Sequence, residues 1–153
     1  MAEKSADRGT SFSESFPVVG GNFDDAGKVS SRIKGILKKM CLPSDVIRRA
    51  AICTFEAEMN IVCYAQQGDI TLSVDNDRVV IKAVDEGEGI LDIDLAMQVG
   101  YSTSTAKIRE MGFGAGMGLV NIDRYADEFT ITSEVGRGTQ LVMVVYVADG
   151  SQQ

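Results

Sequence analysis

The sequence predicts an α+β fold, a two-layer α/β sandwich in which a mixed, mostly antiparallel sheet carries helices on one face. Three observations predict it. Two helix-period runs stand together before Ala65, two pairs of strand-like runs each flank a short turn, and the glycine-dense "REMGFGAGMGLVN" (109–121) leads into another helical run. Neighbouring hairpins favour antiparallel pairing, and helices grouped apart from them must bury their apolar stripes against the resulting sheet.

In chain order, residues 1–16 ("MAEKSADRGTSFSESF") are polar and poor in aliphatics, and are expected to form a mobile N-terminal segment. The folded domain is expected over 17–147, with 148–153 as a polar tail. A helix should follow Asp24 or Asp25, either of which can cap it, because Val29, Ile33, Ile36, Leu37 and Met40 recur at helical spacing. Pro43 suits the first turn of a second helix, which runs through "SDVIRRAAICTFEAEMNIVCYA" to about Ala65, with Gly68 as its stop. "DITLSV" and "RVVIKAV" flank Asp75, Asn76 and Asp77 as a hairpin. A short helix around Leu91 to Gln98 then leads into the glycine loop, followed by a helix from about Gly118 to Tyr125. Finally "EFTITSE" and "TQLVMVVYV" form a second hairpin around "VGRG".

Composition limits the function. At 153 residues with a net charge of −7 and no long Lys/Arg run, the chain is expected to bind neither nucleic acid nor an anionic membrane surface. No apolar stretch is long enough to span a bilayer and the first residues lack a secretory core, so a cytoplasmic location is expected. Histidine is absent, which removes His-dependent triads and His-containing zinc sites. Cys41, Cys53 and Cys63 do not suggest a disulfide framework and read as small buried hydrophobes.

The second helix carries the first chemical signal. Its central turns are apolar nearly all round, and Glu56, Glu58 and Asn60 interrupt them. At about 100° per residue Glu56 and Asn60 lie roughly 40° apart on one stripe, while Glu58 points to the other side. The two carboxylates therefore have separate jobs. Glu56 and Asn60, flanked by Ile52, Phe55, Met59 and Cys63, could serve a hard cation and a general base; a structural hydrogen bond to nearby backbone is the alternative.

In "VVIKAVDEGEGI", a hydrophobic strand ends in Asp85, and Gly87 and Gly89 allow a close approach. The aspartate can accept from an exocyclic amine or can simply terminate a turn. The run Gly112, Gly114, Gly116, Gly118 lacks the Gly-Lys-Ser/Thr of a P-loop and fits no G-x-G-x-x-G register. What remains is G-x-G-x-G at a helix start, where backbone N–H groups and partial positive charge suit a phosphate chain. Phe113, Met117 and Leu119 disfavour a plain flexible linker.

Glu56-Ala-Glu-Met-Asn60, "DEGEGI", "GFGAGMGL" and Gly138-Thr139 occur in that order over about residues 17 to 147. The arrangement resembles the Bergerat ATP-binding fold of the GHKL superfamily: histidine-kinase catalytic domains, DNA gyrase, the ninety-kilodalton heat-shock chaperone and the mismatch-repair ATPases. Within it, "GYSTS…REMGFGAGMGLVNIDRYADEF…SEVGRGT" resembles the bacterial anti-sigma-factor serine/threonine kinases, most closely the switch-type branch. The resemblance implies Mg-ATP as cofactor, Glu56 as catalytic base and Asn60 as the magnesium ligand. It implies that Asp85 holds the adenine amine, with Gly87, Gly89 and Thr139 around it. Residues 100–118 resemble the ATP lid, with Gly114, Gly116 and Gly118 supplying phosphate-facing backbone, Met117 and Leu119 among the nucleotide-binding residues, and Lys107 and Arg109 as lid cations. The partner implied is a small STAS-like anti-anti-sigma antagonist that carries the acceptor serine, with a sigma factor, a phosphatase and a second copy of the chain left open as further partners. A non-catalytic ATP-binding switch and an ATPase module are the rival classes. The sequence departs from the family at Glu88, Tyr64 and Val120, where relatives often carry proline, histidine and proline.

Overall fold

The computed structural model describes residues 12–98 and 118–147. Strand β1 (Phe12–Val19) is followed by a 3-10 turn (Phe23–Asp25), helix α1 (Lys28–Lys39) and the long helix α2 (Ser44–Tyr64). The hairpin of β2 (Ala65–Val74) and β3 (Arg78–Gly87) comes next, then a short α3 (Ile93–Ala96), α4 (Gly118–Tyr125), and the hairpin of β4 (Glu128–Glu134) and β5 (Gly138–Tyr146). The strands form one sheet in the order β1-β2-β3-β5-β4, every neighbouring pair antiparallel.

The alternation along the strands sets which face is covered. Phe16 and Val18 of β1, Ile70, Leu72 and Val74 of β2, Val79, Ile81 and Ala83 of β3, and Leu141, Met143 and Val145 of β5 are buried on the helix side. Successive side chains point to opposite faces, so these residues build one apolar surface. Helix α2 lies across β1, β2, β3 and β5, and α1 and α4 pack against α2. The first hairpin turns as expected, with Asp75 Oδ1 accepting from the N–H groups of Asp77 and Arg78.

Four local expectations are corrected. Residues 12–16, expected in the mobile segment, are part of β1, where Ser15 Oγ and Thr71 Oγ1 lie 2.8 Å apart across the strand pair. Polar side chains on the outer face of an edge strand make such a segment look unstructured in sequence; residues 1–11 lie outside the described ones. Gly68 lies inside β2, because the chain passes directly from helix to strand at Ala65. Neither Asp24 nor Asp25 caps α1: Asp25 pairs with Lys28 and accepts from Asn22, and the residue before the helix is Gly27 at φ 96°. The cap is supplied by Glu58. Finally Cys41 is exposed, while Cys53 is buried and Cys63 half-buried.

Candidate active site

Glu58 separates from Glu56 as the helical phase requires. Its Oε2 accepts from Gly27 N at 3.0 Å and Val29 N at 3.1 Å, and its Oε1 from Ser30 N at 3.1 Å. These are otherwise unpaired donors at the start of α1, where a negative charge is also favoured by the helix dipole. Glu58 is thereby a structural bracket between α1 and α2.

Glu56 faces the other way, toward α4. Asn121 Nδ2 donates to its Oε2 at 3.0 Å, and a Cβ placed on Gly118 would lie 3.3 Å from its Oε1. Burial pushes the Glu56 carboxyl above its ordinary value, and the Asn121 hydrogen bond pulls it partly back. The same side chain borders a shallow depression of about 300 Å³ between α1 and α2, together with Ser30, Ser31, Lys34, Ile52 and Phe55. Phe55 is 38% exposed there. Asn60 is half-buried one turn further along α2.

Asp85 closes the far end of this line. A Cβ on Gly68 would meet both Asp85 Cβ, at 3.1 Å, and the Ile61 side chain of α2; one on Gly87 would lie 3.0 Å from Tyr64 O. The strand-end acid thus sits beside the last turn of α2. From Tyr64, Asn60 and Glu56 lie one and two turns back, about 6 and 12 Å along the axis at 1.5 Å per residue. Asp85, on β3, thus lies at the C-terminal end of the helix that carries Asn60 and Glu56.

The Asp85 carboxylate is held at one oxygen. Thr139 N donates to Oδ1 at 3.1 Å, so among the described residues Oδ2 is left for another donor. Burial raises the group from its ordinary value and the Thr139 bond lowers it. Gly138 must be glycine: its φ is 150°, and a Cβ would run into the Asp85 carbonyl. The β4–β5 turn clamps the "DEGEG" segment, since Gly87 N donates to Arg137 O at 3.1 Å and Gly136 N to Glu88 O at 2.8 Å. Gly89 packs at φ 80° against the Glu134 backbone. Thr139 reaches Asp85 through its backbone; its hydroxyl lies 2.9 Å from Ser133 Oγ, which also accepts from Ile90 N at 2.7 Å.

Lys107, Arg109, Gly114, Gly116 and Met117 lie outside the described residues. Gly118 opens α4 beside Glu56, and Leu119 packs against the core, so it can offer a ligand only its backbone. Sequence reasoning missed Asn121 and Ser133. An asparagine inside a short helix, where its propensity is poor, was the available signal for the first; nothing local marked the second.

A family model described as "Histidine kinase-, DNA gyrase B-, and HSP90-like ATPase" matches residues 47–149, which span α2 to β5. The chain belongs to this ATPase family. Membership brings ATP binding with it. Among curated relatives, the serine/threonine-protein kinase RsbT of Bacillus subtilis is 35% identical over 66% of this chain and 74% of its own length. The anti-sigma F factor of a Thermoanaerobacter species is 27% identical over 80% of this chain and 78% of its own. In fold, the chain is similar to one from the SiaB–SiaC complex of Pseudomonas aeruginosa, with a TM-score of 0.60, 15% identity and 95% of each chain covered.

The donor set suits a nucleotide better than a free-standing metal centre. Among the described residues no three His, Cys, Asp or Glu side chains cluster as a metal site. An ion here would take most of its oxygens from phosphate and water, as magnesium does, with a single amide such as Asn60 from the protein.

Proposed function

We propose that the protein is an Mg-ATP-dependent protein serine/threonine kinase of the anti-sigma regulatory type, acting on a small STAS-like antagonist. The observation that carries this reading is the placement of Asp85 beside the last turn of α2, with Asn60 and Glu56 one and two turns back on that helix. Asp85 would accept from the adenine amine, Asn60 would hold magnesium, and Glu56 would serve as the base toward the acceptor hydroxyl. Gly118 and Leu119, the first described residues of α4, would turn backbone N–H groups toward the phosphates, in line with the anion preference of helix N-termini.

Phosphoryl transfer needs positioning and charge neutralisation more than covalent participation. Glu56 supplies the remaining element, a carboxylate whose raised pKa suits it to take the proton of a serine hydroxyl as that oxygen bonds to the γ-phosphorus, the bond to the β,γ-bridging oxygen breaks and ADP leaves. The acceptor side chain enters through the α1/α2 depression, the open space that Glu56 borders. The kinase and anti-sigma names of the relatives support a protein target. Transfer places close to two negative charges on the antagonist, which faces a chain of net charge −7 and is driven off.

No helix among the described residues is long and apolar enough to cross a membrane, and the reading places the protein in the cytoplasm with its antagonist. The test is capture of partners on the purified chain with and without Mg-ATP, followed by transfer from γ-labelled ATP. A serine on one captured protein should be labelled, and Glu56→Ala should abolish labelling while nucleotide binding survives. ATP binding with no labelled partner would leave a non-catalytic switch in its place.

A further inference from the structure

We propose that Asn121 is a positioning residue for phosphoryl transfer: its side-chain amide holds the Glu56 carboxylate in place and ties that carboxylate to helix α4. The inference rests on reading Glu56 as the base.

The geometry carries it. Among the described residues, Asn121 gives Glu56 its one hydrogen-bond donor, at 3.0 Å on Oε2, and the other oxygen lies against Gly118. Residues 118 and 121 are three apart on one helix and so share a face. Both oxygens of the base are thus read by a single face of α4. With Oε2 engaged, Oε1 is the oxygen left to receive a proton. A base whose rotamer is fixed by a neutral donor loses no reorganisation energy at the moment of attack.

The position makes little sense as helix support. Asparagine is a poor interior residue in a helix of eight, since its amide competes for local backbone. The C-terminal end of α4 is fixed independently, where Arg49 donates to Tyr125 O at 3.0 Å and pairs with Asp127. Asn121 is therefore not needed to dock the helix. Among the described residues, the other charged or titratable groups around Glu56 are Lys34 of α1, which lines the same depression, and the Cys53 thiol of α2, which burial pushes up to about 12 and keeps neutral. Asn121 acts on the carboxylate with no charge of its own.

The test compares Asn121→Ala, which improves helix propensity and should fold, with Asn121→Asp, which sets a second carboxylate against the first. Three quantities are read: kcat and KM(ATP) for transfer to the antagonist captured as above, thermal midpoint, and titration of the Glu56 side-chain carboxyl by carbon NMR, assigned with Glu56→Gln. We expect Asn121→Ala to lower kcat roughly tenfold with KM(ATP) within about twofold, and to move the Glu56 midpoint and the acidic limb of the rate profile to higher pH. Asn121→Asp should lie further in the same direction, an order that a purely structural role would not produce. Wild-type kcat and an unmoved carboxyl midpoint in both variants, with Glu56→Ala inactive, would overturn the inference and leave the base reading intact. Transfer that survives Glu56→Ala would remove the base reading and the inference together.

Discussion

Two glutamates two positions apart on α2 meet opposite environments. At the α1/α2 seam Glu58 is 2% exposed and accepts three backbone N–H groups. At the α2/α4 seam Glu56 is half-buried and has one side-chain amide, with burial the dominant influence on its proton affinity. A buried carboxylate is thus defined by how many donors meet it. Fully met, it is a structural bracket; undersupplied, it keeps an appetite for protons that catalysis can use.

The comparison is sharpened by substitutions that separate its halves. Glu56→Ala should lower transfer to the antagonist by roughly 10²–10⁴-fold, the range of a lost general base, with the melting temperature held. Glu58→Ala should do the reverse. It leaves three N–H groups orphaned, at about 1–3 kcal/mol for each that stays dry, so a loss on the order of 3 kcal/mol is expected in urea unfolding. Equal stability losses for the two variants would break the comparison.

Asp85→Asn tests the other undersupplied acid. The amide oxygen can still accept from Thr139, but under the proposed role its NH₂ would meet the adenine amine, donor against donor. ATP affinity by calorimetry should fall roughly tenfold to a hundredfold, as for a lost charge-assisted bond. Smallest of all is a pH effect. Glu56 has a folded-state pKa raised above its ordinary 4.5, so its contribution to stability is present below that value and lost as pH rises through the raised one. Glu56→Gln should therefore melt slightly above the parent at pH 7, within about 3 °C for a domain of this size, and the gain should vanish toward pH 4. A gain that grew on acidification would contradict the burial argument.

Much of this was legible in sequence because short-range rules governed it. Period and turn chemistry placed α2, both hairpins and α4, and helical phase alone put Glu56 and Glu58 on different sides. Three of the misses share one cause. Asp24 and Asp25 stood where a local cap belongs, yet the cap came from a residue 28 to 31 positions away. Asn121 and Ser133 likewise matter through partners 65 and 43 positions distant.

By itself the sequence determined the elements, their apolar faces and the types of group available for chemistry, since each follows from backbone geometry within a few residues. Only the tertiary structure decided which donor meets which carboxylate. That depends on how α1, α4 and the β4–β5 turn pack around α2 and Asp85, and hydrogen bonds between distant segments form only where packing brings donor and acceptor to about 3 Å.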